Sequence, residues 1–148
     1  MFIRSNLNPN YERVGDCVIR AISKVLDQSW DRTYIDLAVL GLRMKDMMSS
    51  NVVWSTYLHD KGFSRYSIPN TCPDCYTISD FAKDHPHGTY LLATGKHVVA
   101  VMDGCYFDTW NCGEEIPIYY FVKEREASRW LYSTEDTLSH ILKRDTNR

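Results

Sequence analysis

A cysteine at the start of a predicted helix is the first residue in this chain whose type and position could perform chemistry. Gly15 and Asp16 precede Cys17, and apolar residues at helical spacing then predict a largely buried helix over residues 15–26. The first N–H groups of a helix lack acceptors, and the helix dipole places partial positive charge at the same end. Both effects favour ionisation of a thiol, whose unperturbed pKa is about 8.5. Cys17 is therefore our candidate nucleophile, and a small core residue is the alternative.

A histidine and an aspartate lie on two strands that the sequence predicts to pair. Asp103 and Gly104, between alternating apolar runs, are typical of a two-residue hairpin turn. With that turn, His97 and Asp108 fall on one face of the sheet, one diagonal step apart. A diagonal separation of roughly 7 Å between Cβ atoms lets an imidazole and a carboxylate meet at their tips. A histidine held by an acid is the orienting half of a nucleophilic triad, and a hydrogen-bonded core pair is the alternative.

Two asparagines upstream of Cys17 could help to stabilise a tetrahedral intermediate. Attack of the thiolate on a carbonyl carbon would leave negative charge on an oxygen close to the backbone N–H of Cys17. A side-chain amide is the natural second donor, and Asn8 and Asn10 are the nearby amides. The sequence does not rank these two by geometry, because the segment that carries them is irregular.

A C-x-x-C pair in a predicted loop, Cys72 and Cys75, offers a different chemistry. Such pairs commonly supply two of the four ligands of a tetrahedral zinc site. The second pair would come from one of two sets: Cys105 with Cys112, or His85 with His87. The spacing of the first set is not that of a usual zinc knuckle. We therefore expect no metal and no other cofactor, and a zinc-stabilised interaction domain is an alternative.

The elements that must position these residues predict an α+β domain, with amino-terminal helices packed on a carboxy-terminal antiparallel sheet. Periodicity and capping signals predict helices over residues 15–26, 29–40, 52–61, 77–84 and 133–142. Alternating or apolar runs predict strands over residues 89–94, 96–102, 106–110 and 116–122. Residues 1–14 and 66–75 are expected to be irregular, and Gly41 is expected to end or weaken the second helix.

Composition and charge describe an ordinary globular domain and exclude several classes of protein. The chain has 148 residues, of which 44% are hydrophobic, and a formal net charge of −2. That length predicts a single domain over residues 1–148 that forms a core without a metal or a disulfide. Near-neutral charge without a basic run argues against nucleic-acid binding. No apolar window could span a membrane and no secretory signal is recognisable, so we expect a cytoplasmic protein with reduced cysteines.

The order and local pattern of the candidate residues resemble papain-like cysteine peptidases, in which a cysteine heads a buried helix and a histidine and its polar partner follow on strands. More narrowly, the chain is similar to a group of small proteins common in phages of Gram-positive bacteria and in their hosts. The motifs that carry this similarity span most of residues 8–113: Asn8-Pro9, Gly15-Asp16-Cys17-Val18-Ile19-Arg20-Ala21-Ile22, His97-Val98-Val99-Ala100-Val101, Asp103-Gly104 and Asp108-Thr109-Trp110.

The resemblance implies a papain-like fold in which Cys17 is the nucleophile and His97 the general base. Asp108 would orient the imidazole, and Asn8 would be the preferred oxyanion donor. Papain carries a glutamine before its nucleophile and an asparagine as the third member, where this chain has asparagines and an aspartate.

The resemblance also implies an activity and its alternatives. The expected protein is a cysteine-dependent hydrolase, a peptidase or an amidase, that acts on a protein, peptide or amide through an acyl thioester. The superfamily also includes transferases and inactive binders. A catalytically inactive binding or inhibitor protein of phage origin is therefore the main alternative, and a phage-encoded protein would act in the host cytoplasm.

Overall fold

Residues 1–123, the part of the chain that this computed structural model describes, form four helices and one six-stranded sheet. The helices are α1 (Cys17–Leu26), α2 (Trp30–Met44), α3 (Asn51–Asp60) and α4 (Ile78–Asp84). The strands are β1 (Phe2–Arg4), β2 (Phe63–Ser67), β3 (Thr89–Ala93), β4 (Val98–Met102), β5 (Cys105–Asp108) and β6 (Tyr119–Lys123), in the sheet order β1-β5-β4-β3-β6-β2. The α+β class is confirmed, and the helix predicted at 133–142 lies outside the described residues.

The hairpin of β4 and β5 has the register that its turn predicts. Met102 pairs with Cys105, and the two turn residues between them, Asp103 and Gly104, have φ angles of 48° and 76°. Positive φ at both central positions is the geometry that matches the twist of a hairpin. In this register Asp108, the last residue of β5, lies near the beginning of β4.

Both faces of the sheet are buried, so β4 contributes to two separate cores. Side chains alternate between the faces of a strand. Val98 and Ala100 pack with α1, α2 and α3, whereas Val99 and Val101 pack with α4. Cys17 packs against the first core, which ties the start of α1 to the start of β4.

The amino-terminal residues are more ordered than the sequence predicts. Residues 2–4 form β1, which pairs in parallel with β5 and places Arg4 opposite Asp108. The sheet is therefore mixed, and the prediction of a purely antiparallel sheet with an irregular start was wrong. Residues 66 and 67, the first two of the loop predicted over residues 66–75, belong instead to β2. Strands this short lack the periodicity that identifies longer ones, and the pairing of β1 depends on a strand far away in the chain.

Helix α2 continues through Gly41 and ends at Met44, so of the two expectations, that this glycine ends or weakens the helix, the first was wrong. A Cβ atom at Gly41 would lie 2.8 Å from the backbone oxygen of Asp46 and 3.1 Å from the backbone nitrogen of Met48. The glycine is therefore required by the close approach of the following loop to the helix, and not by a helix end.

We predict that Gly41→Ala lowers the free energy of unfolding, although the same change in most helix interiors raises it by about 1 kcal/mol. The backbone must move to admit the new methyl group, and overpacking of this kind costs about 1 to 3 kcal/mol. Urea unfolding followed by circular dichroism measures the change. Gly95→Ala is the matched control, since nothing lies within 4 Å of its added Cβ. An unfolding midpoint for Gly41→Ala at or above that of the unchanged protein would contradict the argument.

Candidate active site

Cys17 is the first residue of α1 and lies half-buried at the base of an open cleft. The cleft has a volume of about 490 Å³, which is within the range of small-ligand sites. Its walls come from the segment before α1, from the turn between β3 and β4, and from the residues after β5; they include Val14, Lys96, His97, Thr109 and Trp110. Cys17 therefore borders the cleft while its helix is anchored in the core.

The imidazole of His97 connects Cys17 to Asp108. The Nε2 atom of His97 is hydrogen-bonded to the Oδ2 atom of Asp108, and only 13% and 3% of the two side chains are exposed. Thr94 fixes the backbone of His97, because its Oγ1 accepts from the His97 N–H at 3.0 Å and its own N–H donates to the His97 carbonyl at 2.8 Å. The Trp110 ring lies beside the imidazole, with 5.4 Å between ring centroids. The predicted proximity of His97 and Asp108 is thus present in the structure.

The electrostatics of this group favour a thiolate beside an imidazolium. Burial opposes ionisation of the Cys17 thiol, but its interactions with His97 and with the backbone of Val98 outweigh burial, and the pKa of Cys17 lies below its usual value. Burial also opposes a charge on His97, but its hydrogen bonds, above all the one with Asp108, raise the pKa of His97 to about 11. The lowered pKa of Cys17 and the raised pKa of His97 both favour the charged forms, so each group stabilises the ionised form of the other.

Arg20 joins the helix that carries Cys17 to the strand that carries Asp108. Its Nε donates to the Oδ1 atom of Asp16 at 2.8 Å, and its Nη1 donates to the Oδ1 atom of Asp108 at 2.9 Å. Neither Arg20 nor Asp16 is among the candidate site residues that the sequence predicts. The sequence spacing could have identified Arg20 as a site residue, because it lies one helical turn after Cys17 and therefore on the same face of α1.

The buried carboxylate of Asp16 accepts hydrogen bonds from three side chains at the start of α1. Besides Arg20, it accepts from the Trp30 indole N–H at 2.9 Å and from the Asn8 side-chain amide at 3.3 Å. Asn8 does not line the cleft, and its side-chain oxygen accepts from the backbone N–H of Asn10. Asn8 therefore holds the segment that precedes Cys17. Its predicted oxyanion role is not favoured by this geometry, and Asn10 does not line the cleft either.

Cys112 is a site residue that the sequence analysis placed only in a hypothetical zinc site. It is fully buried beside His97 and Asp108. Burial raises the pKa of Cys112, and the negative charge of Asp108 acts in the same direction. Cys112 is therefore a neutral thiol that packs against the histidine and the aspartate. No spacing rule would have found it, because the chain between Asp108 and Cys112 is irregular.

The proposed zinc ligands at Cys72 and Cys75 are joined to each other in a disulfide, with 4.3 Å between their Cα atoms. The expectation that all cysteines are reduced was therefore wrong for this pair. Thr71 closes the loop locally, since its hydroxyl donates to the carbonyl of Asp74 and accepts from the Tyr76 N–H. This turn brings the two sulfur atoms together. Neither sulfur is then a thiolate that could bind a metal.

Within residues 1–123, the metal-compatible donors that cluster are those of His97, Asp108 and Cys112, which lie within 4.8 Å of one another. The carboxylate of Asp108 already accepts from Arg20, from the Thr109 N–H at 2.7 Å and from His97. The other two donors keep their protons according to the directions of their pKa shifts. A metal ion needs deprotonated ligands, so this arrangement suits a hydrogen-bonded network better than a metal centre.

Comparison of the chain with family models, with curated proteins and with solved structures finds no match. Over residues 1–123, no helix combines the length and the apolar character that crossing a bilayer requires.

We predict that His97→Gln raises the pH at which Cys17 becomes reactive. The variant keeps the burial that opposes ionisation and removes the histidine that stabilises the thiolate, so the pKa of Cys17 must rise. The rate of alkylation by iodoacetamide, followed at Cys17 by peptide mass spectrometry across pH, measures the midpoint. His59→Gln, an exposed change on α3, is the control and should leave the midpoint in place. An equal midpoint in the unchanged protein and in His97→Gln would rule out His97 as the partner.

We predict that Arg20→Met lowers the free energy of unfolding by about 3 to 5 kcal/mol, because buried Asp16 loses its cation and buried Asp108 keeps only His97. Arg32→Met is a matched control: Arg32 also bonds an aspartate four residues on, Asp36, through Nε at 2.9 Å, but 67% of its side chain is exposed. Exposed pairs of this kind contribute about 0.3 to 0.5 kcal/mol. Urea unfolding of both variants measures the difference, and equal losses would contradict a bridging role for Arg20.

Proposed function

We propose that this protein is a cysteine-dependent acyl hydrolase, a peptidase or an amidase, with Cys17 as the nucleophile and His97 as its acid–base partner. One observation carries the proposal: a single imidazole interacts with both a thiol of lowered pKa and a buried carboxylate at the base of an open cleft. A thiolate, a general acid–base group and an orienting acid are the three parts that covalent acyl transfer requires.

In the acylation step, the Cys17 thiolate attacks the carbonyl carbon of the substrate and a carbon–sulfur bond forms. The carbonyl oxygen becomes an oxyanion, and the Cys17 N–H, in the first turn of α1 where the helix offers no acceptor, is one donor to it. The imidazolium of His97 gives its proton to the leaving nitrogen as the carbon–nitrogen bond breaks. The products of this step are a free amine and a thioester on Cys17.

In the deacylation step, neutral His97 takes a proton from a water molecule, which attacks the thioester carbon. The carbon–sulfur bond breaks, the acid leaves, and the thiolate and imidazolium form again. Asp108 acts on the ring and not on the substrate: it holds Nε2, which leaves the other ring nitrogen available to the thiol. Arg20 and Thr109 occupy the remaining oxygen of Asp108 and fix the carboxylate in this orientation.

The papain-like fold expected from the sequence is part of this proposal. A helix headed by a cysteine packs against a sheet whose β4–β5 hairpin presents a histidine and then an acid, in that order along the chain. An inactive binding protein of similar fold is the competing hypothesis, and it would be favoured by a fully buried cysteine without a groove. The half-buried Cys17 at an open cleft supports the enzyme instead.

We predict that an activated ester acylates Cys17. With p-nitrophenyl acetate, the unchanged protein should release p-nitrophenol in a burst followed by a slower steady phase, and intact-protein mass spectrometry should detect one acetyl group at Cys17. Cys17→Ala should abolish the burst, and Asp108→Asn should slow it by about 100-fold or more because the imidazole loses its orientation.

Cys105→Ala is the control variant for this assay. It removes another free, partly exposed thiol that does not line the cleft, and the burst should persist. Acetylation that is as fast at Cys105 as at Cys17, or a burst that survives in Cys17→Ala, would contradict the proposal.

A further inference from the structure

The rim of the cleft carries three cationic side chains from three distant parts of the chain. Arg4 is the last residue of β1, Arg13 belongs to the segment before α1, and Lys96 lies in the turn directly before His97. All three are exposed, and all three line the cleft that contains Cys17. Their convergence is a product of the fold, since β1 reaches the site only by pairing with β5.

These three cations have no ion-pair partner among residues 1–123. Arg20, which also lines the cleft, differs from them because Asp16 and Asp108 already use its guanidinium. The charges of Arg4, Arg13 and Lys96 are therefore available to a ligand. The charge of Arg20 is instead engaged in ion pairs with Asp16 and Asp108.

The acidic groups of the cleft do not offset these cations. Two acids line it: Asp16, which is buried and bonded to Arg20, and Glu12, which is exposed. Among the residues that line the cleft, three free cations therefore accompany one free acid, Glu12; Lys96 also borders a neighbouring pocket that Glu114 and Glu115 line. The whole chain has a formal net charge of −2, so the surplus of positive charge is local and does not reflect an overall basic composition. A cleft lined by one sign of charge raises the local concentration of ligands of the opposite sign.

Trp110 adds an apolar surface next to the same cations. Its side chain is 44% exposed, and its ring lies against His97. A substrate bound over Cys17 therefore meets an aromatic face beside the imidazole and positive charge around it. An indole face beside cationic groups suits a chain whose aliphatic part packs on the ring while its anionic end reaches the rim.

We propose that the cleft selects acyl substrates that carry a carboxylate side chain close to the scissile bond, so that the preferred substrate is an acidic peptide segment. This inference rests on the proposed function and adds the substrate class to it. Arg4, Arg13 and Lys96 bind the carboxylate and thereby hold the neighbouring carbonyl over Cys17. The attraction acts on binding and orientation, while the chemical step remains that of Cys17 and His97.

The test uses two acetylated dipeptide fluoromethyl ketones that are identical except for glutamate or glutamine next to the reactive group. The second-order rate of alkylation at Cys17, followed by peptide mass spectrometry at low ionic strength, should be about tenfold higher for the glutamate probe. The preference should shrink as salt is added, because exposed charges are screened.

A triple variant, Arg4→Gln with Arg13→Gln and Lys96→Gln, should bring the ratio of the two rates close to one. The matched control is Arg43→Gln with Lys45→Gln and Lys61→Gln, which removes the same amount of positive charge away from the cleft and should keep the preference. Each protein serves as its own reference because the measured quantity is the ratio of two rates.

The possible failures are distinguishable. If neither probe alkylates Cys17, the proposed function fails and the inference fails with it. If the glutamine probe alkylates Cys17 and the glutamate probe is no faster, the reactive thiol stands and the anionic preference is overturned. Loss of the preference in the remote triple variant as well would assign it to net charge and would also overturn a role for the rim.

Discussion

The bridge that Arg20 makes between two buried carboxylates is the interaction on which the site depends. Asp16 belongs to the start of α1 and Asp108 to the end of β5, and 88 residues separate Arg20 from Asp108. Removing water from a carboxylate costs several kcal/mol unless a cation and hydrogen bonds replace it. Arg20 meets that requirement for both acids, so the helix and the strand are held in one relative position.

A continuous set of interactions runs from this bridge to the thiol, because Asp16, Arg20, Asp108, His97 and Cys17 each interact with the next residue in this order. Burial opposes ionisation of Asp108, His97 and Cys17, yet the pKa values of all three shift towards their charged forms. At each of these groups the hydrogen bonds and charges of the neighbours therefore outweigh the loss of hydration. A consequence is that the reactivity of Cys17 depends on groups that never touch a substrate.

The parts of the fold that local rules govern were predictable from the sequence. The register of the β4–β5 hairpin follows from its turn, and the start of α4 follows from a capping box at Thr77 and Asp80. The contacts that could not be predicted join segments far apart in the chain. They include the pairing of β1 with β5, the second bond of Arg20, and the position of Cys112. The oxyanion assignment of Asn8 had the same weakness, because sequence proximity did not reveal that Asp16 engages its amide.

The neutral thiol of Cys112 has one more consequence. Its sulfur atom lies within 4.8 Å of the donor atoms of His97 and Asp108, and it is shielded from solvent. The stretching vibration of such a bond absorbs in the infrared where water and amides absorb little, and its frequency follows the local electric field. The molecule therefore contains a native vibrational reporter, which registers proton movement between the imidazole and its neighbours without any introduced label.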